Sequence, residues 1–107
     1  MMGNIFGNQT LEKILLSVER YGQIYASDTA KTFDMPLYCV QRQLRKMEES
    51  GVLVSRFYGK VRLYEFNPRY PLANELKNLL RKAFDFLPKK DIEKYYMKRR
   101  RPRLYGK

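Results

Sequence analysis

The sequence predicts a small α+β fold that is mainly helical and carries a single β-hairpin near its middle. Apolar residues recur at helical spacing on both sides of residues 52–66, and within that range two short runs of β-branched and aromatic residues flank a glycine. The length of 107 residues allows one domain with a modest core and a tail. We expect residues 1–87 to form the domain and residues 88–107 to form a basic C-terminal extension.

The first predicted helix follows Asn8, a residue type that favours the N-cap position, and runs through "TLEKILLSVERY" to Gly22. Its apolar residues form one stripe that we expect to be buried: Leu11, Ile14, Leu15 and Val18. A short extended piece, "QIYA", comes next. Ser27 or Asp28 is then expected to cap a second helix, "DTAKTF", which breaks around Asp34.

The third predicted helix covers about 37–50 and stops at Gly51, which supplies the left-handed conformation common at helix ends. Val40, Leu44 and Met47 lie at the spacing that places them on one buried side. The chain then enters "VLVSRF" and "VRLYEF", which are joined by "YGK" and read as a β-hairpin over about 52–66.

After the breaker "NPRYP", the stretch "LANELKNLLRKAFDFL" predicts a long fourth helix. Its apolar positions are Leu72, Leu76, Leu79, Leu80, Ala83, Phe84 and Leu87. This apolar face is broader than contact with one small domain requires. Two explanations stay open at this point: a dimer interface, or a larger intramolecular contact.

Charge is concentrated in the extension 88–107. The chain holds 22 Lys and Arg against 11 Asp and Glu, and the extension alone accounts for +7 of the net charge of +11. Such a balance favours a polyanionic partner, nucleic acid before a membrane surface. The tail "KRRRPRLYGK" has three alternative roles: a solubilising end, an arm that binds phosphates, which we favour, or an arm in the minor groove. Tyr95 and Tyr96 precede it, in a short helix or packed on the domain or a partner.

Several classes of protein are disfavoured by what the chain lacks. It has one cysteine, Cys39, and no histidine, so the usual zinc and general-base sites cannot be built. A Gly-rich phosphate loop and clustered carboxylates are also missing from the sequence. We therefore expect no enzyme activity, no cofactor and no metal. No apolar run reaches the roughly 18 residues of a membrane span, and the start resembles no secretion signal, so a cytoplasmic protein without membrane contact is expected.

The predicted order is α-β-α-α-β-β-α, which is the order of a winged helix-turn-helix. At the level of residues, the chain resembles the ArsR-like winged-helix transcriptional regulators. The matching segments are "IFGNQTLEKILL", "VQRQLRKMEESGVL", "YGKVRLYEFN" and "PLANELKNLL", which together cover about residues 5–80.

The resemblance implies a homodimer that binds double-stranded DNA and pairs through its first and fourth helices. The third helix would enter the major groove, and the hairpin, or wing, would touch the flanking backbone or minor groove. The implied major-groove positions are Leu37, Tyr38, Gln41, Arg42 and Arg45, with Lys46 beside them, and the wing positions are Arg56, Tyr58, Lys60 and Arg62. Arginine pairs with guanine, glutamine with adenine, and an apolar side chain meets the thymine methyl group.

Further contacts are expected outside the third helix and the wing. Ser27 and Thr29, at the start of the second helix, are expected to bond phosphate through hydroxyl or backbone N–H groups. In the tail, the expected contacts are Arg99, Arg100, Arg101 and Arg103. For Tyr38 and Tyr58, packing of the ring on the core is an equal alternative to DNA contact.

The sequence departs from the family at Pro36, where relatives usually carry a capping serine or threonine, because proline has no hydroxyl. Metal-sensing relatives use clustered cysteines and histidines, so Cys39 alone argues against a metal sensor. We favour a small, partly buried side chain for Cys39 over a redox switch. No residue set argues for a small-molecule effector.

The function that the sequence predicts is a sequence-specific transcriptional regulator, more readily a repressor than an activator. The alternative is a non-specific architectural winged helix that binds DNA or RNA, or a subunit of a larger nucleoprotein assembly. The alternative predicts weak sequence preference, steep salt dependence and a dominant role for the tail.

Overall fold

The computed structural model describes residues 8–97 and confirms the predicted fold class. Its elements are α1 (Gln9–Tyr21), α2 (Ala26–Phe33), α3 (Leu37–Glu49), β1 (Leu53–Tyr58), β2 (Val61–Phe66), α4 (Ala73–Ala83), a 3-10 turn (Phe84–Phe86) and α5 (Lys89–Tyr95). The two strands form an antiparallel hairpin that pairs Leu53 with Phe66 at its base and Tyr58 with Val61 at its tip. The predicted first strand is a single bridge, in which Ile24 pairs with Tyr64.

Helix α1 has the limits that the sequence predicts. The Asn8 side chain accepts a hydrogen bond from the Leu11 N–H at 3.0 Å, which satisfies one of the free N–H groups at the helix start. At the other end, Gly22 has a φ of 87° and lets the chain leave the helix. The buried side differs from the predicted stripe in two ways. Leu16, which was not predicted, is fully buried, and Leu11 is buried only in part.

Helix α2 begins earlier than predicted. Tyr25 occupies the N-cap position without a side-chain hydrogen bond, so Ser27 and Asp28 lie in the first helical turn and neither caps the helix. Packing decides this start, because Ala30 and Phe33 are buried in the core while Ile24 is held in its bridge to the hairpin. Asp34 ends the helix in a left-handed conformation, as expected.

Helix α3 and the turn that follows it lie where the sequence predicts them. Val40 and Leu44 are fully buried, and Met47 packs against the core while partly exposed. Pro36 occupies the N-cap position with no side-chain hydrogen bond. After the helix, Gly51 has a φ of 87°, where a residue with a Cβ would be strained. The chain therefore passes from α3 into the hairpin within a few residues.

Helix α4 is shorter than predicted and ends at Ala83, where a 3-10 turn replaces it. The broad apolar face is divided between two environments. Leu80 and Ala83 are buried against the core, whereas Leu72 and Leu79 remain 56% and 40% exposed. A larger intramolecular contact therefore accounts for only part of the apolar surplus, and an exposed stripe is left.

Residues 88–96 pack on the body of the domain. The Arg20 Nε donates to the Tyr96 carbonyl oxygen at 2.7 Å, and the Tyr21 hydroxyl donates to the Tyr95 carbonyl oxygen at 2.6 Å. The Tyr96 ring lies 5.2 Å from the Phe84 ring between centroids and is 3% exposed. Burial raises the pKa of the Tyr96 hydroxyl, and the nearby Glu12 adds to the effect.

The expected division of the chain after residue 87 separates Tyr96 from the core that it completes. We propose instead that the domain extends through Tyr96 and that the basic extension starts beyond it. The tail arginines Arg99, Arg100, Arg101 and Arg103 lie outside the described residues.

Candidate nucleic-acid interface

A cleft of about 590 Å³ opens between α3 and the hairpin. One wall is a side of α3, the other is a face of the hairpin, and the start of α2 forms the floor. The lining residues are Tyr25, Ala26, Ser27, Leu37, Gln41, Arg45, Glu48, Phe57, Lys60, Val61, Arg62 and Tyr64. The lining holds three cationic side chains and one carboxylate, so its net charge is positive.

Helical spacing explains which residues of α3 line the cleft. Gln41 follows Leu37 by four positions, and the next two members follow at intervals of four and three, which places all of them on one side. They are Leu37, Gln41, Arg45 and Glu48. The buried residues Val40 and Leu44 lie on the neighbouring side and fix the helix to the core. Core packing therefore sets the direction in which the cleft-lining side chains point.

Three further predicted residues, Tyr38, Arg42 and Lys46, occupy the outer side of α3, next to the cleft wall, and all three are exposed. The Tyr38 side chain is 65% exposed, so its ring does not pack in the core. The Arg42 guanidinium carbon lies 5.9 Å from the centre of that ring. The two sides together give α3 a continuous polar and basic surface from the cleft to the outer side.

The pairing register of the hairpin divides its side chains between two faces. Ser55 pairs with Tyr64 and Phe57 with Arg62, and because side chains alternate along a strand, these four share the face that looks toward α3. Arg56 and Tyr58 lie on the opposite face. There the Arg56 Nε lies 3.7 Å from a Glu65 carboxylate oxygen, which partly offsets its charge.

Arg62 is held by contacts on several sides. Its Nη1 donates to the Ser55 Oγ at 2.8 Å, and its guanidinium carbon lies 4.3 Å from the centre of the exposed Phe57 ring. The Ser55 hydroxyl in turn donates to the Glu48 Oε2 at 2.6 Å. These contacts connect a wing cation to the last turn of α3.

Tyr64 lies deep in the cleft, where the charged groups of both walls meet. Burial raises the pKa of its hydroxyl, and the Glu48 carboxylate raises it further, while Arg62 and Arg45 act in the opposite direction. Charged groups of α3 and of the hairpin therefore both affect the Tyr64 hydroxyl.

The two residues predicted to bind phosphate at the start of α2 differ in exposure. Ser27 is exposed and lines the floor of the cleft. Thr29 is 3% exposed, and its backbone N–H donates to the Tyr25 carbonyl oxygen at 3.1 Å. A phosphate contact by Thr29 stays a prediction that this geometry does not favour, because α2 starts earlier than expected and Thr29 faces the interior.

Sequence reasoning missed three residues of this region: Glu48 and Phe57, which line the cleft, and Ser55, which hydrogen-bonds to Glu48 and Arg62 beside it. Two signals predict their position: helical spacing from Leu37 to Glu48, and the alternation that places Ser55 and Phe57 on one face of the hairpin. Cys39 is partly buried, as expected.

Residues 8–97 lack two kinds of structural feature. No cluster of three or more His, Cys, Asp or Glu side chains there has an arrangement that could hold a metal ion. In the same range, no helix is long and apolar enough to cross a membrane.

Comparison with protein-family models and with curated protein sequences finds no match. Among solved structures, the chain is similar to YusO from Bacillus subtilis, with a TM-score of 0.55 at 16% identity, over 78% of this chain and 65% of that chain, just under two thirds. The adhesin competence repressor AdcR from Streptococcus pyogenes has a TM-score of 0.53 at 18% identity, over 80% and 72% of the two chains.

A third similar structure is the apo form of a ZitR mutant from Lactococcus lactis, with a TM-score of 0.56 at 18% identity, over 86% of this chain and 81% of that chain. At such identities, the likeness establishes the fold that these chains share.

Proposed function

We propose that this protein is a sequence-specific DNA-binding regulator of transcription that reads double-stranded DNA with α3 and the hairpin. The observation that carries the proposal is the cleft, whose two walls present exposed Arg, Lys and Gln side chains on rigid elements. An α-helix fits the major groove of B-DNA, and a helix in that groove has a phosphate backbone on either side of it.

In this arrangement α3 is the recognition helix. Gln41, Arg42 and Arg45 face the base edges, where arginine bonds guanine and glutamine bonds adenine through two hydrogen bonds each. The adjoining phosphates lie in the cleft, near Ser27 and the N-terminal turn of α2, where the helix dipole favours an anion. Lys60 and Arg62 of the wing then meet the flanking backbone or minor groove.

Regulation by repression and membership among the ArsR-like regulators are the finer parts of the proposal. The ArsR-like pattern of the sequence segments supports the family, and the similarity to AdcR, which is named as a repressor, supports the direction of regulation. A regulator of this type represses by occupying a promoter, which requires an affinity well above that for other DNA.

The proposed protein acts as a homodimer. An exposed apolar stripe on α4 and its two ends supports this: Leu72 at the N-cap, Leu79 within the helix and Phe86 in the following turn are 56%, 40% and 62% exposed. A symmetric pair of such stripes would set two recognition helices on one side of a duplex, about one helical turn apart.

Replacing Leu79 with glutamate is expected to convert the dimer to a monomer, because it places two carboxylates at a symmetric apolar contact. Analytical ultracentrifugation measures the mass directly. The matched control is Asn78→Glu, which adds the same charge at a neighbouring exposed position. A wild-type protein that sediments as a monomer over the whole concentration range would contradict the dimer.

The function is tested by selecting fragments of genomic DNA from the source organism on the full chain at near-physiological salt with excess competitor DNA. The expected result is enrichment of a short inverted repeat. Retention of DNA without a shared sequence would contradict the proposal and favour the architectural alternative.

A truncation after Met97 separates these two functions further, because it removes the basic extension and keeps Tyr96 in the core. A specific regulator keeps its sequence preference at lower affinity. An architectural protein that depends on the tail loses nearly all binding.

A further inference from the structure

We propose that Glu48 and Ser55 are positioning residues that hold Arg62, and with it the wing, at a set position relative to α3. The inference rests on the proposed DNA-binding function and deepens it. In this arrangement, Glu48 and Ser55 decide how selectively the wing reads the base pairs that flank the site contacted by α3, without touching DNA themselves.

The geometry of Ser55 carries the argument. Its hydroxyl is the link between two elements, because it donates to the Glu48 Oε2 at 2.6 Å and accepts from the Arg62 Nη1 at 2.8 Å. Both distances are those of good hydrogen bonds, and each bond has one charged partner, which makes it stronger than a bond between neutral groups. The link is partly buried on the Glu48 side, so water competes less for it.

Arg62 is supported from a further side by Phe57, whose ring centre lies 4.3 Å from the guanidinium carbon. A flexible arginine loses conformational freedom when it binds DNA, and a side chain that is already held loses less. Arg56 provides the contrast within the hairpin, since it lies on the opposite face and contacts Gln23 and Glu65 instead of α3. Arg62 is thus the wing cation whose position is tied to the recognition helix.

A carboxylate on the wall of a DNA-binding cleft needs an explanation, since Glu48 repels phosphate groups. If Glu48 acted only as a charge, its removal would tighten binding to any DNA. If it acts as an anchor, the hydrogen bond that it accepts from Ser55 offsets this repulsion by fixing the wing. The two roles predict different results for variants that change the charge and the acceptor separately.

The first experiment compares Glu48→Gln and Glu48→Met by selection from DNA that is randomised at the flanks of the selected site. Both variants remove the same charge, but glutamine keeps an oxygen that accepts from Ser55 and methionine does not. We expect Glu48→Gln to keep the flank preference and Glu48→Met to reduce it about fivefold or more, which is the scale of the loss of one net hydrogen bond. Equal flank preference in both variants would overturn the proposal.

The second experiment uses Ser55→Ala, which removes both hydrogen bonds without a change of charge, with Ser50→Ala as the matched control. Ser50 lies at the surface, and its hydroxyl donates to the nearby Met47 carbonyl oxygen at 3.2 Å. We expect Ser55→Ala to reduce the flank preference while the preference for the bases under α3 stays as in the wild type. An unchanged flank preference would overturn the proposal.

A double-mutant cycle measures the link itself. Arg62→Ala is expected to weaken binding about tenfold in the wild type and about twofold in the Ser55→Ala background, because an Arg62 that has lost its support contributes less. Equal losses in both backgrounds would mean that Ser55 does not act through Arg62. A wild-type chain that selects no sequence would instead refute the proposed function, so the two failures are distinguishable.

Discussion

Replacing both Arg42 and Arg45 with alanine is expected to weaken binding to the selected site by about 2–6 kcal/mol, since each lost contact to a base edge costs about 1–3 kcal/mol. The two side chains are exposed on α3, and neither is buried in the core, so the fold should remain intact. Binding is measured by fluorescence anisotropy with the selected duplex and with a scrambled duplex. The ratio of the two affinities is expected to fall with the affinity for the selected site.

The matched control is the double variant Lys82→Ala and Lys90→Ala, which removes the same charge from exposed positions outside the cleft. Loss of two positive charges away from the interface lowers the long-range attraction to both duplexes alike and leaves the ratio of the two affinities unchanged. If the two double variants lost equal affinity, or if the arginine variant kept the wild-type preference, the assignment of α3 as the recognition helix would be wrong.

Replacing Leu44 with alanine is expected to lower the free energy of unfolding by about 2–5 kcal/mol, the usual cost of such a truncation in a packed core. Leu44 is fully buried and belongs to the cluster that holds α3 against the rest of the domain. Small domains have a net stability of only about 5–15 kcal/mol, so the variant loses a large part of it. Urea unfolding followed by circular dichroism measures the loss.

Leu44→Met is the control for this variant, because it keeps nearly the same volume and is expected to cost less than about 1.5 kcal/mol. DNA binding of the Leu44→Ala variant should weaken as well, since a loosened α3 no longer directs the side chains of its cleft side. If Leu44→Ala unfolded with the same urea midpoint as the wild type, α3 would not be fixed by this core contact.

The elements of the fold could be predicted where a local signal and the packing agree. Asn8 and Gly22 mark the ends of α1, and Gly51 marks the exit of α3, because each of these positions has a backbone requirement that a sequence can display. The start of α2 could not be predicted in the same way. Its N-cap is Tyr25, a residue with no capping bond, and tertiary packing sets the position.

The exposed cations of the candidate interface could also be predicted, because helical spacing alone turns Arg42 and Arg45 away from the core. The burial of Thr29 could not be predicted, since it depends on where α2 begins. The Glu48 to Ser55 hydrogen bond joins two different elements, and single-element patterns do not reveal it. Knowledge of the pairing register would have placed Ser55 and Phe57 beside Arg62.

The position of the C-terminal segment could be predicted only as one of several alternatives. Pro88 interrupts the apolar pattern, which suggested a boundary after residue 87, and the charge of the following stretch concealed the role of its two tyrosines. The Tyr96 ring packs against the rings of Phe33 and Phe84, and the space that it occupies lies between elements that are distant in the sequence. No local pattern describes such a space.

The contact between Arg20 and Tyr96 has a consequence for the order in which the domain folds. The two residues are 76 positions apart, so their hydrogen bond closes almost the whole described chain into one loop. Contacts of such long separation form late, and a chain growing on the ribosome cannot form this one until Tyr96 has emerged. Helices α2 and α3 and the hairpin are synthesised earlier, so the elements that line the cleft have left the ribosome before the residue that closes this loop.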